Sequence, residues 1–370
     1  PPGPSLHEGP GGFRRCGATP CVGGAPPVFG NSPTTGWTTR CARGAPSFIL
    51  DAMSSIQTDS KGPIRETRCG YITLAGRPNA GKSTLMNTLM GERLSIVTAK
   101  AQTTWRRVTG ILTTSRGSQM IFLDTPGLLR PADLLQRSML SAAREAVAEA
   151  DVLLLVLDAT RPPSPEEEAS FQEALSGAPD HIGRIAAVNK TDSAKKATVE
   201  RISRWAGEEL AAEPFPVSAL KGEGTEDLLR RLEEVLPPGP HLFPDDEIAR
   251  DPVRFFVAEI VRESVFETFY EEVPYSTFCR VEEFREDQDP LYIQAHLFVE
   301  TTSQKKIVVG KGGSSIRALG SMSRRKIEEF LERRVYLDLW VKVLPNWRRK
   351  RSHLKKLGFP VPDSREGDSS

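Results

Sequence analysis

The sequence predicts an α/β fold, a doubly wound sheet, followed by a smaller α+β domain. Two observations support this prediction. Between residues 69 and 236 short apolar runs alternate with amphipathic stretches, and a Pro-Pro-Gly-Pro break at 237–240 precedes a region with a different order of elements. Uninterrupted apolar runs are typical of parallel strands buried on both faces. Alternating strands and helices place ligand sites at the carboxyl ends of the strands.

Each element of the first region follows from its local pattern. Runs such as Val-Leu-Leu-Leu-Val-Leu suit a buried strand, and the stretches between them have helical periodicity. The predicted strands are Tyr71–Ala75, Met120–Leu123, Val152–Asp158 and Ile185–Asn189. The predicted helices are Ser83–Met90, Leu134–Glu149, Glu166–Leu175 and Thr225–Leu236.

The second region is predicted to run helix, strand, strand, helix, helix, strand. Alternation is weak from Phe278 to Glu283 and clearer from Tyr292 to Val299. The predicted elements are the helix Pro252–Tyr270, the strands Ser276–Phe284 and Leu291–Glu300, the helices Gln304–Val309 and Ser314–Arg333, and the strand Val335–Val343. We therefore divide the chain into a disordered extension (1–66), a first domain (67–236), a linker (237–251), a second domain (252–360) and a disordered tail (361–370).

Composition is that of a globular protein, with 38% hydrophobic and 26% charged residues, and 370 residues suffice for two domains. The net charge of +1 conceals an asymmetry. Between Ser303 and Lys356 there are 16 Lys or Arg residues against 4 Asp or Glu residues. This basic block indicates a polyanionic partner, and the alternative is a solvated helix face.

The cysteines and the N-terminal segment bear on the compartment. The five cysteines show no CxxC spacing, so the chain is typical of a reduced, intracellular protein. No apolar run reaches 18 residues, so no membrane span is predicted. Four Arg and two acidic residues precede Met53, which resembles an organellar transit peptide; translated upstream sequence or an irrelevant tail is the other interpretation. We expect a cytoplasmic protein, or a mitochondrial or plastid one if residues 1–66 are a transit peptide.

A phosphate-binding motif, GxxxxGKS, follows the first predicted strand and begins the first helix. Its glycines let backbone N–H groups surround a β-phosphate at the helix N-terminus. Lys82 is expected to bridge the β- and γ-phosphates and the Ser83 hydroxyl to bind Mg²⁺. The predicted nucleotide-binding residues are Gly76, Arg77, Pro78, Asn79, Ala80, Gly81, Lys82 and Ser83.

A second motif, DTPG, ends another predicted strand. Its Asp124 is expected to hold Mg²⁺, and the Gly127 N–H to contact the γ-phosphate, so that the following loop relaxes on hydrolysis. A threonine before the second strand should complete the magnesium site; Thr103 and Thr104 both fit, and the sequence does not separate them. The residues assigned to nucleotide here are Asp124, Thr125, Pro126, Gly127 and Leu128.

Two further motifs predict guanine selectivity. In NKTD, Asp192 can accept hydrogen bonds from guanine N1–H and the 2-amino group, Asn189 can address the acceptor edge, and the Lys190 stem can cover the ring. The backbone of the SAL segment would complete the guanine edge. These residues are Asn189, Lys190, Thr191, Asp192, Ser218, Ala219 and Leu220. The predicted ligands are GTP or GDP with Mg²⁺, and Lys82, Thr104 and Gly127 are the predicted catalytic residues.

The chain resembles the Era family of GTPases in five segments. They are the phosphate loop, QTT at 102–104, the GKGG turn at 310–313, EEVPY at 271–275 and VYLDLWVKV at 335–343. The resemblance covers roughly residues 69 to 359. It implies a GTPase domain followed by a type II KH domain that binds near the 3′ end of 16S ribosomal RNA. It also implies assembly of the 30S ribosomal subunit and peripheral association with an anionic membrane. We expect no DNA binding and a monomeric state.

The GKGG turn lies between two predicted helices, in the helix–strand–strand–helix–GxxG–helix–strand order of a type II KH domain. Such a turn clamps about four backbone nucleotides. The predicted RNA-binding residues are Gly310, Lys311, Gly312, Gly313, Arg317, Arg324 and Arg325, with further phosphate contacts from Lys326, Arg333 and Arg334. Arg348–Arg351 are expected to contact either RNA or anionic lipid. Trp340 and Trp347 are interpreted as core residues, with base stacking as the alternative.

The residue after DTPG qualifies the catalytic prediction. Ras-like enzymes place a water-orienting glutamine there, whereas this chain has Leu128, so slow intrinsic GTP hydrolysis is expected. No arginine finger is assigned; Arg77 and Arg106 are only near in sequence. Three other functions compete with a GTP-controlled switch. They are a constitutive RNA-binding factor with a structural GTP, a tandem-domain Der-like GTPase, which a single GxxxxGKS disfavours, and a metabolic P-loop kinase, which NKTD disfavours.

Overall fold

The computed structural model describes residues 67–98, 100, 102–128, 131–179 and 182–361. The predicted extension 1–66 and the tail beyond Val361 lie outside these residues.

The first region contains a six-stranded sheet of order β2-β3-β1-β4-β5-β6, in which only β2 is antiparallel to its neighbour. The strands are β1 (Cys69–Ala75), β2 (Val108–Thr113), β3 (Gln119–Asp124), β4 (Val152–Asp158), β5 (Gly183–Asn189) and β6 (Glu213–Pro216). The helices are α1 (Lys82–Met90), α2 (Leu134–Ala148), α3 (Pro165–Ser176), α4 (Lys196–Glu209) and α5 (Thr225–Val235). The predicted doubly wound fold is confirmed.

Three elements of this region were not predicted: β2, β6 and α4. Strand β6 (Glu-Pro-Phe-Pro) is an edge strand that carries two prolines, and a proline cannot donate to the sheet ladder. Strand β2 is joined to β3 by a short turn, in which the Thr114 N–H donates to the Ser118 carbonyl at 2.8 Å. An antiparallel edge partner of this kind lacks the long apolar run of a buried parallel strand.

Apolar layers cover both faces of the sheet. Leu74, Phe122 and Val156 pack with α1 and α5 on one face. Leu155, Leu157 and Val188 pack with α2, α3 and α4 on the other. Because helices cover both faces, the polar ends of the strands remain the place where a ligand can enter.

The second region contains α6 (Val253–Thr268), α7 (Val273–Ser276), β7 (Phe278–Arg285), β8 (Leu291–Val299), α8 (Thr302–Val309), α9 (Ser314–Leu331), β9 (Val335–Val343) and α10 (Arg351–Lys356). Its sheet has the order β7-β8-β9, with β8 and β9 parallel. A register shift between Val281 and Glu283 changes which side chains of β7 face the core. This bulge explains the weak alternation in the sequence, because a bulge interrupts the period of two.

The segment predicted as a linker, 237–251, packs along the first region. The Ile111 N–H of β2 donates to the Ile248 carbonyl at 2.9 Å, and the Gln119 side chain bonds the backbone of Leu242 and Phe243. It is therefore an ordered strap along β2 and β3. Within the described residues, no helix is both long and apolar enough to cross a membrane.

Candidate nucleotide site and RNA-facing surface

The phosphate loop runs from the end of β1 to the start of α1. Lys82 is buried, and its Nζ donates to the carbonyls of Gly76 and Arg77, each at 3.1 Å. Burial lowers the pKa of Lys82 to about 8, although Asp124 opposes this shift. The charged ammonium is thus held inside the loop, where phosphate oxygens could replace the two carbonyls.

Ser83, Thr104 and Asp124 converge at the end of β3. Asp124 Oδ2 accepts hydrogen bonds from Ser83 Oγ at 2.7 Å and Thr104 Oγ1 at 3.3 Å, and the two hydroxyls lie 3.0 Å apart. Asp124 Oδ1 is buried and has no hydrogen-bond partner among the described residues. One carboxylate and two hydroxyls are oxygen donors of the kind that Mg²⁺ takes beside nucleotide phosphates, so this set fits the ion.

This geometry separates the two candidate threonines. The Thr104 hydroxyl faces Ser83 and Asp124, whereas the carbonyl of Thr103 accepts a hydrogen bond from Arg262 of α6. Burial raises the pKa of the Asp124 carboxyl despite the nearby Lys82, and so disfavours its charged form. A cation bound at this carboxyl would favour the charged form. Thr104 is therefore the threonine positioned for the ion.

Gly127 lies directly against the phosphate loop. A Cβ at Gly127 would come within 2.5 Å of the Pro78 nitrogen, so this position requires glycine. The next residue, Leu128, donates its N–H to the Gly76 carbonyl at 3.0 Å, and its side chain is buried in the core. Thr125 Oγ1 donates to the Leu74 carbonyl, and Pro126 is buried beside it.

The NKTD and SAL segments meet beside the phosphate loop. Asn189 Nδ2 donates to the Ala80 carbonyl at 2.9 Å, and Asn189 Oδ1 accepts from the Ala219 N–H at 2.9 Å. Ser218 Oγ donates to Asp192 at 2.7 Å, and this bond and one from Ser193 lower the pKa of Asp192. The Thr191 N–H donates to the Val217 carbonyl, and Leu220 is 78% exposed. The predicted motifs thus form one connected site.

The loop that carries Thr103 and Thr104 is held by the second region. Arg262 of α6 is buried, donates to the Thr103 carbonyl, and lies over the Trp105 ring at 4.4 Å. Lys100 Nζ donates to the Phe266 and Phe269 carbonyls at the end of α6. The loop that carries Thr103 and Thr104 therefore contacts the second domain directly.

An aromatic cluster seals the same junction. Trp105 and Met139 of the first region pack with Phe278, Phe298, Trp347, Leu354 and Phe359 of the second. Arg106 donates to the Leu357 carbonyl and lies 4.9 Å from the Phe359 ring centroid, and Ser138 donates to the Pro360 carbonyl. Arg106 is thus engaged away from the phosphate loop, and Arg77 is paired with Asp158 and Glu167.

The GKGG turn has the geometry of an open backbone turn. Gly310, Gly312 and Gly313 all have positive φ, of 74°, 58° and 78°, a conformation that favours glycine. Exposed basic side chains with no salt bridge to any described residue lie in the turn and along the helix that follows it: Lys311, Arg317, Arg324 and Arg325. An unpaired cationic surface beside a glycine turn and a helix N-terminus suits a phosphate backbone.

Several predictions for this region need correction. Lys326 is paired with Glu263 and Glu267, and Arg333 donates to the Glu286 and Gln288 carbonyls, so both have internal partners. Arg348 is half-buried, pairs with Asp133 and Glu300, and donates a hydrogen bond to the Tyr275 carbonyl. The core interpretation is confirmed for Trp347, which is fully buried, and wrong for Trp340, which is 54% exposed.

Sequence reasoning missed Arg262, Trp105 and Asp158. Asp158 could have been found, because it ends a predicted strand at the ligand edge of the sheet. Arg262 lies inside a helix of mixed apolar and charged residues, and nothing in the sequence marks the distant loop it contacts.

Comparisons with known proteins agree with this geometry. The family model described as a 50S ribosome-binding GTPase matches residues 71–190, and the KH domain model matches residues 272–348. GTPase Era of Geotalea uraniireducens is 40% identical over 297 residues, covering 80% of this chain and 99% of that protein. GTPase Era of Rhizobium meliloti is 36% identical over 316 residues, covering 85% and 100%.

Solved structures give the same result. A variant of Aquifex aeolicus Era bound to GDP and aluminium fluoride matches with a TM-score of 0.75 and 36% identity, covering 80% of this chain and 100% of that one. A structure of Era in complex with MgGDPNP and nucleotides 1506–1542 of 16S ribosomal RNA matches with the same values.

Proposed function

The chain belongs to the Era family of GTPases and hydrolyses GTP, and we propose that it is a GTP-controlled switch whose KH domain binds the 3′ end of 16S ribosomal RNA. In this proposal the protein bound to 16S ribosomal RNA assists assembly of the 30S ribosomal subunit. One similar Era structure holds GDP and aluminium fluoride, and another holds MgGDPNP and nucleotides 1506–1542 of 16S ribosomal RNA.

We assign the phosphate-loop residues, with Lys82, to the nucleotide phosphates, and Ser83, Thr104 and Asp124 to Mg²⁺. When bound, the ion would neutralise charge on the β- and γ-phosphate oxygens. Lys82 would leave the Gly76 and Arg77 carbonyls for those oxygens, and the Gly127 N–H would contact the γ-phosphate. Since Leu128 is buried in the core, it cannot orient water. Slow intrinsic hydrolysis is expected for this reason.

One observation supports the switch most directly. The hydroxyl of Thr104 faces the magnesium site, while the carbonyl of its neighbour Thr103 accepts a hydrogen bond from the KH-domain residue Arg262. A movement of this loop on γ-phosphate loss therefore alters a buried contact with α6. Loops that order on GTP and relax on hydrolysis are a general switching device.

The KH domain supplies the RNA surface in this proposal. Gly310–Gly313 would admit phosphates to the backbone, and Lys311, Arg317, Arg324 and Arg325 would add positive charge. Helix α9 begins at this turn and is tied to α6 through Lys326 and Glu263. Helix α6 thus contacts both the loop that carries Thr104 and the helix that follows the GKGG turn.

The test is the affinity for a 16S 3′-end oligonucleotide, measured with the protein loaded with a non-hydrolysable GTP analogue and then with GDP. We expect tighter binding in the GTP-like state. Equal binding would reject the switch in favour of a constitutive RNA-binding factor. Absence of binding in both states would reject the RNA assignment.

A further inference from the structure

Asp158 lies at the carboxyl end of β4, between the phosphate loop and the guanine-reading motif, and belongs to neither. Its side chain is 4% exposed. Its two oxygens have separate partners. Oδ2 accepts from Arg77 Nη2 at 2.5 Å and Lys190 Nζ at 2.8 Å, and Oδ1 accepts from the Thr160 N–H and hydroxyl.

The Lys190 ammonium links the Asp158 carboxylate to the phosphate loop. Besides Asp158, it donates to the Asn79 carbonyl at 2.7 Å. Asn79 and Lys190 both have positive φ, of 62° and 69°. Backbones in this region are costly for residues other than glycine unless their surroundings fix them. Asp158 is an acidic group that contacts both segments, through Arg77 on the first and Lys190 on the second.

Arg77 and Lys190 differ in their dependence on Asp158. Arg77 has a second acidic partner, Glu167, at 3.0 Å, and Glu167 is in turn paired with Arg161. Lys190 has no other acidic partner among the described residues. Although burial alone would raise the pKa of Asp158, hydrogen bonds from Lys190 and Thr160 lower it to about 2, so it is a carboxylate throughout the physiological range.

We infer that Asp158 is a positioning residue for guanine nucleotide: it fixes the Lys190 stem over the base and ties it to the phosphate loop, and so slows nucleotide release. The inference rests on the placement of Lys190 beside guanine in the function proposed above. Asp158 itself need not touch the nucleotide. Its loss should leave magnesium and γ-phosphate contacts intact while loosening the base.

The decisive variant is Asp158→Asn. An asparagine that keeps its oxygen toward Thr160 turns its NH₂ group toward two cations, so Lys190 loses its acceptor. The matched control is Thr160→Val, which removes the hydroxyl bond to Oδ1 and leaves Oδ2 unchanged. Glu167→Gln is the second control, because it removes the other acidic partner of Arg77 but touches nothing at Lys190.

The measurement is the dissociation rate of a fluorescent GDP from the full chain with Mg²⁺. We expect Asp158→Asn to raise this rate roughly 10- to 100-fold, the range for losing a charge-assisted hydrogen bond. Both controls should have GDP dissociation rates within about threefold of that of the unsubstituted protein. Inorganic pyrophosphate, which lacks a base, should bind all variants with the same affinity.

A double-mutant cycle separates positioning from general destabilisation. In a Lys190→Met background, which keeps the stem but removes the ammonium, Asp158→Asn should add little to the rate. Additive effects, or an Asp158→Asn rate no higher than that of Thr160→Val, would overturn the inference. If the unsubstituted protein itself failed to bind GDP, the proposed function would fail instead.

Discussion

The phosphate loop and the GKGG turn both place glycine-rich backbone at the start of a helix, yet their cations differ. Lys82 is buried, bonded to two carbonyls, and has a pKa lowered to about 8. Lys311 and the neighbouring arginines of α9 are exposed and have no salt bridge among the described residues. The first site is assembled around internal partners, whereas the second is an open cationic surface.

This difference predicts how each site responds to substitution. In a buried, connected site one lost group leaves others without partners, so single changes have large effects. On an exposed surface each cation contributes a small, salt-dependent amount. The following five predictions test this comparison, from the largest expected effect to the smallest.

The largest effect should come from Lys82→Ala. Removing the buried ammonium takes away its contacts with the β- and γ-phosphates, and the affinity for GTP and GDP should fall about a thousandfold. Calorimetric titration with each nucleotide measures this. Unchanged binding of the 16S oligonucleotide by the apo protein serves as the control for folding. Retained GTP hydrolysis would show that the phosphate site lies elsewhere.

The Lys311→Asp, Gly312→Asp double variant should weaken RNA binding about 100-fold, because two negative charges replace a cation and an open turn. A Cβ at Gly312 meets no atom within 4 Å, and aspartate tolerates the left-handed conformation, so the fold should persist. Filter binding over a series of salt concentrations measures the loss, and basal GTP hydrolysis is the control. A changed hydrolysis rate without RNA would contradict the separation of the two sites.

Arg262→Met should remove the contact between α6 and the Thr103 carbonyl while keeping the packing against Trp105. The ratio of RNA affinities in the GTP-like and GDP states should then approach one, from an expected coupling of about tenfold. Arg93→Ala is the matched control, because Arg93 also joins the two domains, through Glu263, but does not contact the loop. A ratio that changes equally in both variants would implicate the interface in general.

Nucleotide binding should depend on pH above 8. The bound phosphates should raise the pKa of Lys82 from about 8, so binding in alkaline solution takes up a proton. GDP affinity should therefore fall as pH rises through 8, by at most about tenfold per pH unit. Titration in buffers of different ionisation enthalpy at pH 7 and pH 9 counts the protons. Uptake confined to pH 9 supports the prediction, and none at pH 9 contradicts it.

The smallest effect on turnover should come from Leu128→Gln. Since this side chain is buried in the core and not above the phosphate loop, a glutamine there should not accelerate GTP hydrolysis. It should instead reduce the free energy of unfolding by about 1–3 kcal/mol, the cost of a buried amide without partners. Single-turnover hydrolysis and thermal unfolding test both parts. Faster hydrolysis would mean that the loop rearranges to expose this position.

The contrast between the two sites also explains what could be predicted from the sequence. The strand that ends at Asp158 and the motif segments follow from local patterns, because a parallel strand and a phosphate loop require particular residues at fixed spacing. The choice of Thr104 over Thr103 could not be made, since it depends on which side chain turns toward Asp124. Strand β6 was missed because two prolines hide an edge strand.

Contacts between distant segments were beyond sequence reasoning. The basic run at 348–351 predicts an external anion for Arg348, yet this residue pairs with Asp133 and Glu300, because nothing in a run of basic residues shows which one has internal acidic partners. Trp340 was assigned to the core, but its alternate position on β9 carries it to the exposed face. The same limit applies to Arg262, whose partner lies 159 residues away.

The last described segment, around Leu357–Pro360, determines when the domain junction can form during synthesis. The carbonyls of Leu357 and Pro360 accept from Arg106 and Ser138, and Phe359 completes the aromatic cluster at the domain junction. During synthesis the first domain can form its sheet well before these residues leave the ribosome. The loop bearing Thr104 cannot acquire its full set of neighbours until they emerge. A nascent chain could therefore form the nucleotide pocket before it forms the contacts that join this pocket to the second domain.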